Sequence, residues 1–235
     1  MPNAKQIKEK LKSLANNEQA LKSKSFVKMS SYGKHCHFLG VDTPCLRLIA
    51  KDCKELALGE LSLLLSAKYQ EEKFIALVCL VGKYKKAKSE EEQESLFQFY
   101  VDHFPFINNW HLVDLSAPYI MGPYFSKRDK KFLYECLEAK SLWVRRISIL
   151  SNWWFIRKEN NLSEVFKMSE RLFNDPEDLI HKAVGWMLKE AYRVEPEKTI
   201  KFISTHRLSM PRTMLRYALK EYPSHLKKEF MSVKL

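Results

Sequence analysis

Four short segments recur along the chain at nearly constant spacing: Lys73-Phe74-Ile75-Ala76-Leu77, Asn109-Trp110-His111-Leu112-Val113, Arg146-Ile147-Ser148-Ile149-Leu150 and Lys182-Ala183-Val184-Gly185-Trp186. Their first residues lie 36, 37 and 36 positions apart. Each segment falls in the second member of a pair of predicted helices. A fixed period of this size argues for stacked helical hairpins, each burying its apolar face against the next, which is an α-solenoid.

The rest of the sequence supports an all-α chain. Apolar residues at helical spacing predict helices over roughly 58–67, 70–85, 90–103, 106–120, 126–139, 141–158, 161–174, 176–193, 196–206 and 210–221. The breakers between them are short: Lys88-Ser89, Pro105, Gly122-Pro123, Asn160-Asn161, Asp175-Pro176 and Pro196. No period-two alternation persists long enough for a strand, and glycine is scarce, at 6. Upstream, Ile7, Leu11 and Leu14 share one face of a basic helix from Lys5 to Leu14. The Lys22–Lys34 stretch is polar and basic. Thr43 followed by Pro44 reads as an N-cap and first helical residue. No linker is rich in Gly, Ser or Pro, so the expectation is one domain over 1–235, with 1–34 a helical segment packed on the solenoid.

The net charge of +12 points to a polyanionic partner, nucleic acid ahead of a membrane surface. Five cysteines without a CxxC suggest a reducing compartment rather than a disulfide framework. His35-Cys36-His37 has ligand-type residues, but no second pair at zinc spacing follows, so no metal is expected. No apolar run has the length of a membrane span or the pattern of a signal peptide. The expected location is cytoplasmic, nucleoid-associated when bound to DNA. No Gly-rich phosphate loop is present, and the histidines show no triad spacing.

The repeat register groups a set of side chains. Counted from each segment's first residue, Trp110 is at +1, Asp114 at +5, Arg146 at 0 and Trp186 at +4. At about 100° per residue these offsets fall within a sector of roughly 140°. A carboxylate, two indoles and a guanidinium are therefore expected on one groove, with Arg145 and Lys189 flanking it and Lys73 and Lys182 at equivalent positions. A basic groove with aromatics suits a phosphate backbone with something stacked upon it. The plainer readings are core tryptophans, a capping aspartate and solvated arginines. Trp153-Trp154 lies out of this phase and reads as packing between repeats.

Four segments together resemble the AlkD-like DNA glycosylases, the DNA alkylation repair family built from HEAT-like repeats. They are Phe38-Leu39-Gly40-Val41-Asp42-Thr43-Pro44 with Arg47 after it, Asn109-Trp110-His111-Leu112-Val113-Asp114, Leu142-Trp143-Val144-Arg145-Arg146, and Lys182-Ala183-Val184-Gly185-Trp186-Met187-Leu188. They occur in the family's order over about residues 25–222. The resemblance implies a HEAT-like solenoid that cradles duplex DNA in a basic concave groove. It implies excision of cationic N3- and N7-alkylated purines by a monomer, without cofactor, metal or closed base pocket. It places the catalytic aspartate on Asp114, the cleft tryptophans on Trp110 and Trp186, and the cleft arginine on Arg146. Arg145, Lys182, Lys189 and Arg47 complete the expected DNA-binding set, with Tyr32 either a DNA contact or part of the N-terminal core. Some members carry Trp where Asn109 stands and Asp where His111 stands. Members without the acid bind DNA without this activity, so the alternatives are a non-catalytic DNA-binding module for damaged or branched DNA and a protein–protein scaffold.

Overall fold

The computed structural model describes residues 2–28 and 36–232. Tyr32 and His35 lie outside the described residues. Among those described, fourteen α-helices form and no strand does, apart from an isolated bridge between His37 and Tyr69. The all-α expectation holds. The chain divides into two compact units, Met1–Ile120 and Met121–Leu235.

The first unit contains α1 (Ala4–Ser13), α2 (Asn17–Lys28), α3 (Thr43–Asp52), α4 (Leu58–Leu65), α5 (Gln70–Lys86), α6 (Glu90–Asp102) and most of α7 (Trp110–Tyr124). The basic helix α1 docks on α4 and α5. Ile7 and Leu11 are buried as their spacing requires, while Leu14 is exposed just past the helix end. Leu61, Leu64 and Leu65 of α4 are wholly buried, each stabilising by about 1.5–3 kcal/mol relative to exposure. One helix start differs from expectation. Asp42, not Thr43, caps α3: its Oδ1 accepts from the Cys45 N–H at 2.8 Å, which moves the helix start one residue upstream and leaves Pro44 in the first turn. The polar stretch from Lys22 is helical as far as Lys28, as part of α2.

The second unit contains α8 (Lys131–Leu137), α9 (Leu142–Glu159), α10 (Ser163–Arg171), α11 (Asp178–Val194), α12 (Pro196–His206), α13 (Arg212–Ala218) and α14 (Ser224–Met231). Helix α11 is its centre, packing on α9, α10, α12 and α13. Its buried residues Ile180, Ala183, Val184, Met187, Leu188 and Ala191 recur at three- and four-residue spacing, so one stripe of the helix seeks the core. Asn160, at φ +52, ends α9 in the left-handed conformation common beyond a helix C-terminus, and the Asn161 N–H reaches back to the Phe155 carbonyl at 2.9 Å.

Helix α7 differs from expectation at both ends. It begins at Trp110 rather than 106, because Phe104–Phe106 forms a single 3-10 turn around Pro105. It then continues through Pro118 and Pro123 to Tyr124. A proline inside a helix has no N–H for the carbonyl four residues earlier, so Pro118 cannot satisfy the carbonyl of Asp114.

Candidate nucleic-acid interface

In the first unit, the candidate residues stand on the first turns of α7, and the turn before the helix is tightly held. Lys73 of α5 is buried, and its ammonium donates to the Phe106 carbonyl at 3.0 Å and to Asn108 Oδ1 at 3.3 Å. Burial pushes the Lys73 pKa below the usual lysine range, against the opposing effects of Cys36 and Glu72. Lys73 is therefore not a groove cation but a clamp on the turn that launches α7. Gln70 Nε2 shares Asn108 Oδ1 at 3.3 Å. Asn109 is 2% exposed; its Oδ1 accepts from the His111 N–H at 3.0 Å, and its carbonyl accepts from Leu112 and Val113. A buried, hydrogen-bonded asparagine at this place explains why the helix starts at Trp110.

Trp110 is the first residue of α7 and Asp114 stands one turn on; both are half-buried. The His111 ring lies 5.6 Å from the Trp110 ring and 5.2 Å from Phe74, and the Arg47 guanidinium lies 5.8 Å above the Phe74 ring. Exposed Arg47 is thus linked to Trp110 through two intervening rings. Burial, and then the Arg47 charge, push the His111 pKa down, so its imidazole is neutral at pH 7.

The segment from Phe38 has its own anchor. Glu71 is buried, and its Oε1 accepts from the Leu39 N–H at 3.0 Å and the Gly40 N–H at 2.9 Å. Burial pushes the Glu71 pKa up, against the lowering effect of those amides. Gly40 adopts φ +84, and a Cβ there would lie 2.0 Å from the Asn16 carbonyl oxygen, so only glycine serves.

In the second unit, the two adjacent arginines are in structural use. Arg145 forms a forked pair with Asp175, Nε to Oδ2 at 2.6 Å and Nη2 to Oδ1 at 3.2 Å. It also donates to the carbonyls of Ala139 and Lys140, so it fastens two turns. Arg146 is 5% exposed and donates to the Leu179 carbonyl at 2.6 Å, at the start of α11. Neither is a solvated arginine. Lys182 pairs with Asp178 at 2.6 Å and stays partly exposed.

Trp186 is half-buried on α11. The preceding Gly185 lets α11 approach α13 closely, since a Cβ there would lie 2.5 Å from Tyr217 Cβ and 2.6 Å from the Met214 carbonyl oxygen. The Trp186 indole N–H donates to Glu190 Oε1 at 3.1 Å. Glu190 is buried and also receives Arg193 at 2.7 Å, with Lys189 at 3.8 Å and Arg157 at 3.9 Å.

Sequence reasoning gave Lys73 a different role and missed Glu71, Asp175 and Glu190 as determinants. Glu190 alone left a signal, because Trp186 and Glu190 repeat the four-residue spacing of Trp110 and Asp114. Among the described residues no group of three or more His, Cys, Asp or Glu is placed to hold a metal ion, and no helix is long and apolar enough to cross a membrane.

Helices throughout the described residues, following one another with short breaks, define an all-α protein. The family model described as DNA alkylation repair enzyme matches residues 7–222, and the chain belongs to that family. Its role accordingly lies in the repair of alkylation damage, with DNA as partner. The fold is similar to a solved structure from Enterococcus faecalis titled a predicted DNA alkylation repair enzyme. That similarity has a TM-score of 0.66 at 18% identity, over 89% of this chain and 97% of the other, and concerns the fold alone. No curated protein matches the chain.

Proposed function

We propose that the protein is a monofunctional DNA glycosylase of base excision repair. It hydrolyses the N-glycosidic bond of purines carrying an alkyl group on N3 or N7, in duplex DNA. The observation that carries this reading is Asp114: a half-buried carboxylate on the second turn of α7, one turn beyond Trp110, in a chain of net charge +12.

Alkylation at N3 or N7 makes the purine cationic and a good leaving group. As the bond from C1′ to the base nitrogen breaks, its electron pair goes to the purine, which departs neutral. No general acid is needed. Positive charge then develops on the sugar, where a fixed carboxylate stabilises it. The oxygen of a water molecule bonds to C1′, and its proton passes through Asp114 to solvent. The indole face of Trp110 attracts the cationic sugar, and Trp186, in the second unit, offers an indole face to DNA. Arg47, Lys182 and Lys189 supply charge to the phosphates; Arg145 and Arg146 act through the turns and helix start they hold.

The test is release of N3-methyladenine and N7-methylguanine from methylated duplex. The wild-type protein should release them, and Asp114→Asn should lose most excision while keeping its affinity for DNA. Equal activity in that variant removes Asp114 from the mechanism. Salt-sensitive binding without any release selects the non-catalytic DNA-binding alternative.

A further inference from the structure

The two tryptophans carry a hidden parallel. Asp114 follows Trp110 by four residues, and Glu190 follows Trp186 by four. On a helix each acid therefore lies one turn beyond its indole, and side chains lean toward the N-terminus, so the acid reaches back over the ring. The two acids are treated differently. Asp114 is half-exposed, whereas Glu190 is 4% exposed.

Burying a carboxylate is costly unless it is paired and hydrogen-bonded. Glu190 meets that condition: Oε1 accepts from the Trp186 indole and from Arg193 Nη1, and the Arg157 guanidinium stands 3.9 Å from Oε2. Arg193 is itself fixed, because Glu221 accepts from its Nε at 2.6 Å and also from Nη2. Indole, carboxylate, guanidinium and second carboxylate form one chain of hydrogen bonds. The most buried member of that chain is Glu190. With its oxygens engaged and little solvent access, it is not placed to activate water.

A half-exposed tryptophan has a broad, two-fold χ2 preference, so its ring plane is set by what holds its N–H. We propose that Glu190 is a positioning residue: by accepting the Trp186 indole N–H it selects one ring orientation and presents that indole face to DNA. This rests on the reading of Trp186 as a DNA contact, and it makes Arg193 and Glu221 its outer support.

The experiment combines a spectroscopic readout with a mutant cycle. Tryptophan indole N–H resonances are recorded for the wild type, Trp186→Phe, Glu190→Gln and Glu190→Leu, the Phe variant assigning the Trp186 signal. Its resonance should lie downfield and be slow to exchange. It should move little in Glu190→Gln, which keeps an acceptor, and shift toward free indole in Glu190→Leu. Single-turnover excision should fall about tenfold in Glu190→Leu, equivalent to about 1.4 kcal/mol in the barrier, with DNA affinity nearly unchanged. In the Trp186→Phe background the Leu substitution should cost nothing further, because the group it positions is gone. An unmoved indole signal in Glu190→Leu overturns the contact, and a full additional loss in the Phe background overturns the positioning role. If the wild type releases no base, the functional reading has failed, and the indole signal still decides whether Glu190 holds the ring.

Discussion

The clamp on the turn before α7 makes the sharpest stability prediction. Lys73→Met keeps the aliphatic stem and removes the ammonium that holds the Phe106 carbonyl and the Asn108 side chain. Hydrogen bonds from a charged donor are worth about 1.5–3 kcal/mol each. Burial of the ammonium offsets part of that, as its lowered pKa records at about 1.4 kcal/mol per unit. The expected net loss is about 2 kcal/mol, or roughly 4–8 °C in Tm for a chain of this size. Chemical denaturation followed by circular dichroism measures it. The sign of the pH dependence is fixed as well. A lysine with a depressed folded pKa is neutral in the folded state, while the unfolded chain still binds the proton, between that pKa and the usual 10.5. The unfolded state binds more protons there, so this group makes stability rise with pH across that window. The difference between wild type and Lys73→Met isolates the effect from thiols and tyrosines that titrate in the same range. Because the turn sets where Trp110 and Asp114 stand, excision should also fall, by about tenfold to a hundredfold. A variant with wild-type stability and wild-type excision refutes the clamp.

Other substitutions test separate links. Gly185→Ala should destabilise by about 1–3 kcal/mol through overpacking against Tyr217, and thermal unfolding will show it. Removing the Arg47, Lys182 and Lys189 charges one at a time should each lower the slope of log affinity against log salt by about 0.9 for every phosphate that is no longer neutralised; unchanged slopes exclude those side chains from the DNA interface. His111→Gln probes the imidazole held between Phe74 and Trp110. Its folded pKa is depressed, so as pH falls below 6.5 the unfolded chain takes up a proton first and stability is lost. Denaturation midpoints from pH 7 to pH 5 should fall more steeply for the wild type than for the variant.

What the sequence disclosed follows from which interactions are local. Periodic apolar residues mark α11, because a helix long enough to bury a stripe must repeat it, whereas α5 and α9, buried on nearly all sides along part of their length, are marked by their apolar runs and the short breakers around them. The four-residue relation of Trp110 and Asp114 is likewise fixed by helix geometry. The extension of α7 through Gly122 and Pro123 is not: local preference argues for a stop, and surrounding packing overrides it. Arg146 shows the same limit. A repeat register gives its side of the helix, but the Leu179 carbonyl that draws it into the interior lies 33 residues away. Lys73 has the register position of a groove cation. Only the neighbouring turn, 33 and 35 residues on, reveals it as an internal donor. Charged residues are the hardest to place from sequence, because a single distant acceptor decides between solvent and core.

The contrast between the two acids bears on the chemistry. Glu190 is enclosed by Arg193, Lys189 and Arg157, and its charge is neutralised within the protein. Asp114, at the matching helical position, keeps partial access to solvent, in a helix where Pro118 also withholds an N–H from the Asp114 carbonyl. For a protein that approaches DNA, an accessible carboxylate is unfavourable in the ground state: at an effective dielectric of 20, a phosphate about 4 Å away repels it by about 4 kcal/mol. Simple DNA affinity therefore gives no reason for the acid. The cost is offset when positive charge develops beside it, as it does on a sugar losing a cationic purine. The same arithmetic predicts which way the neutral variant moves. Asp114→Asn should bind undamaged DNA as tightly as the wild type or more tightly while losing excision, and weaker binding to undamaged DNA would place Asp114 in the scaffold instead.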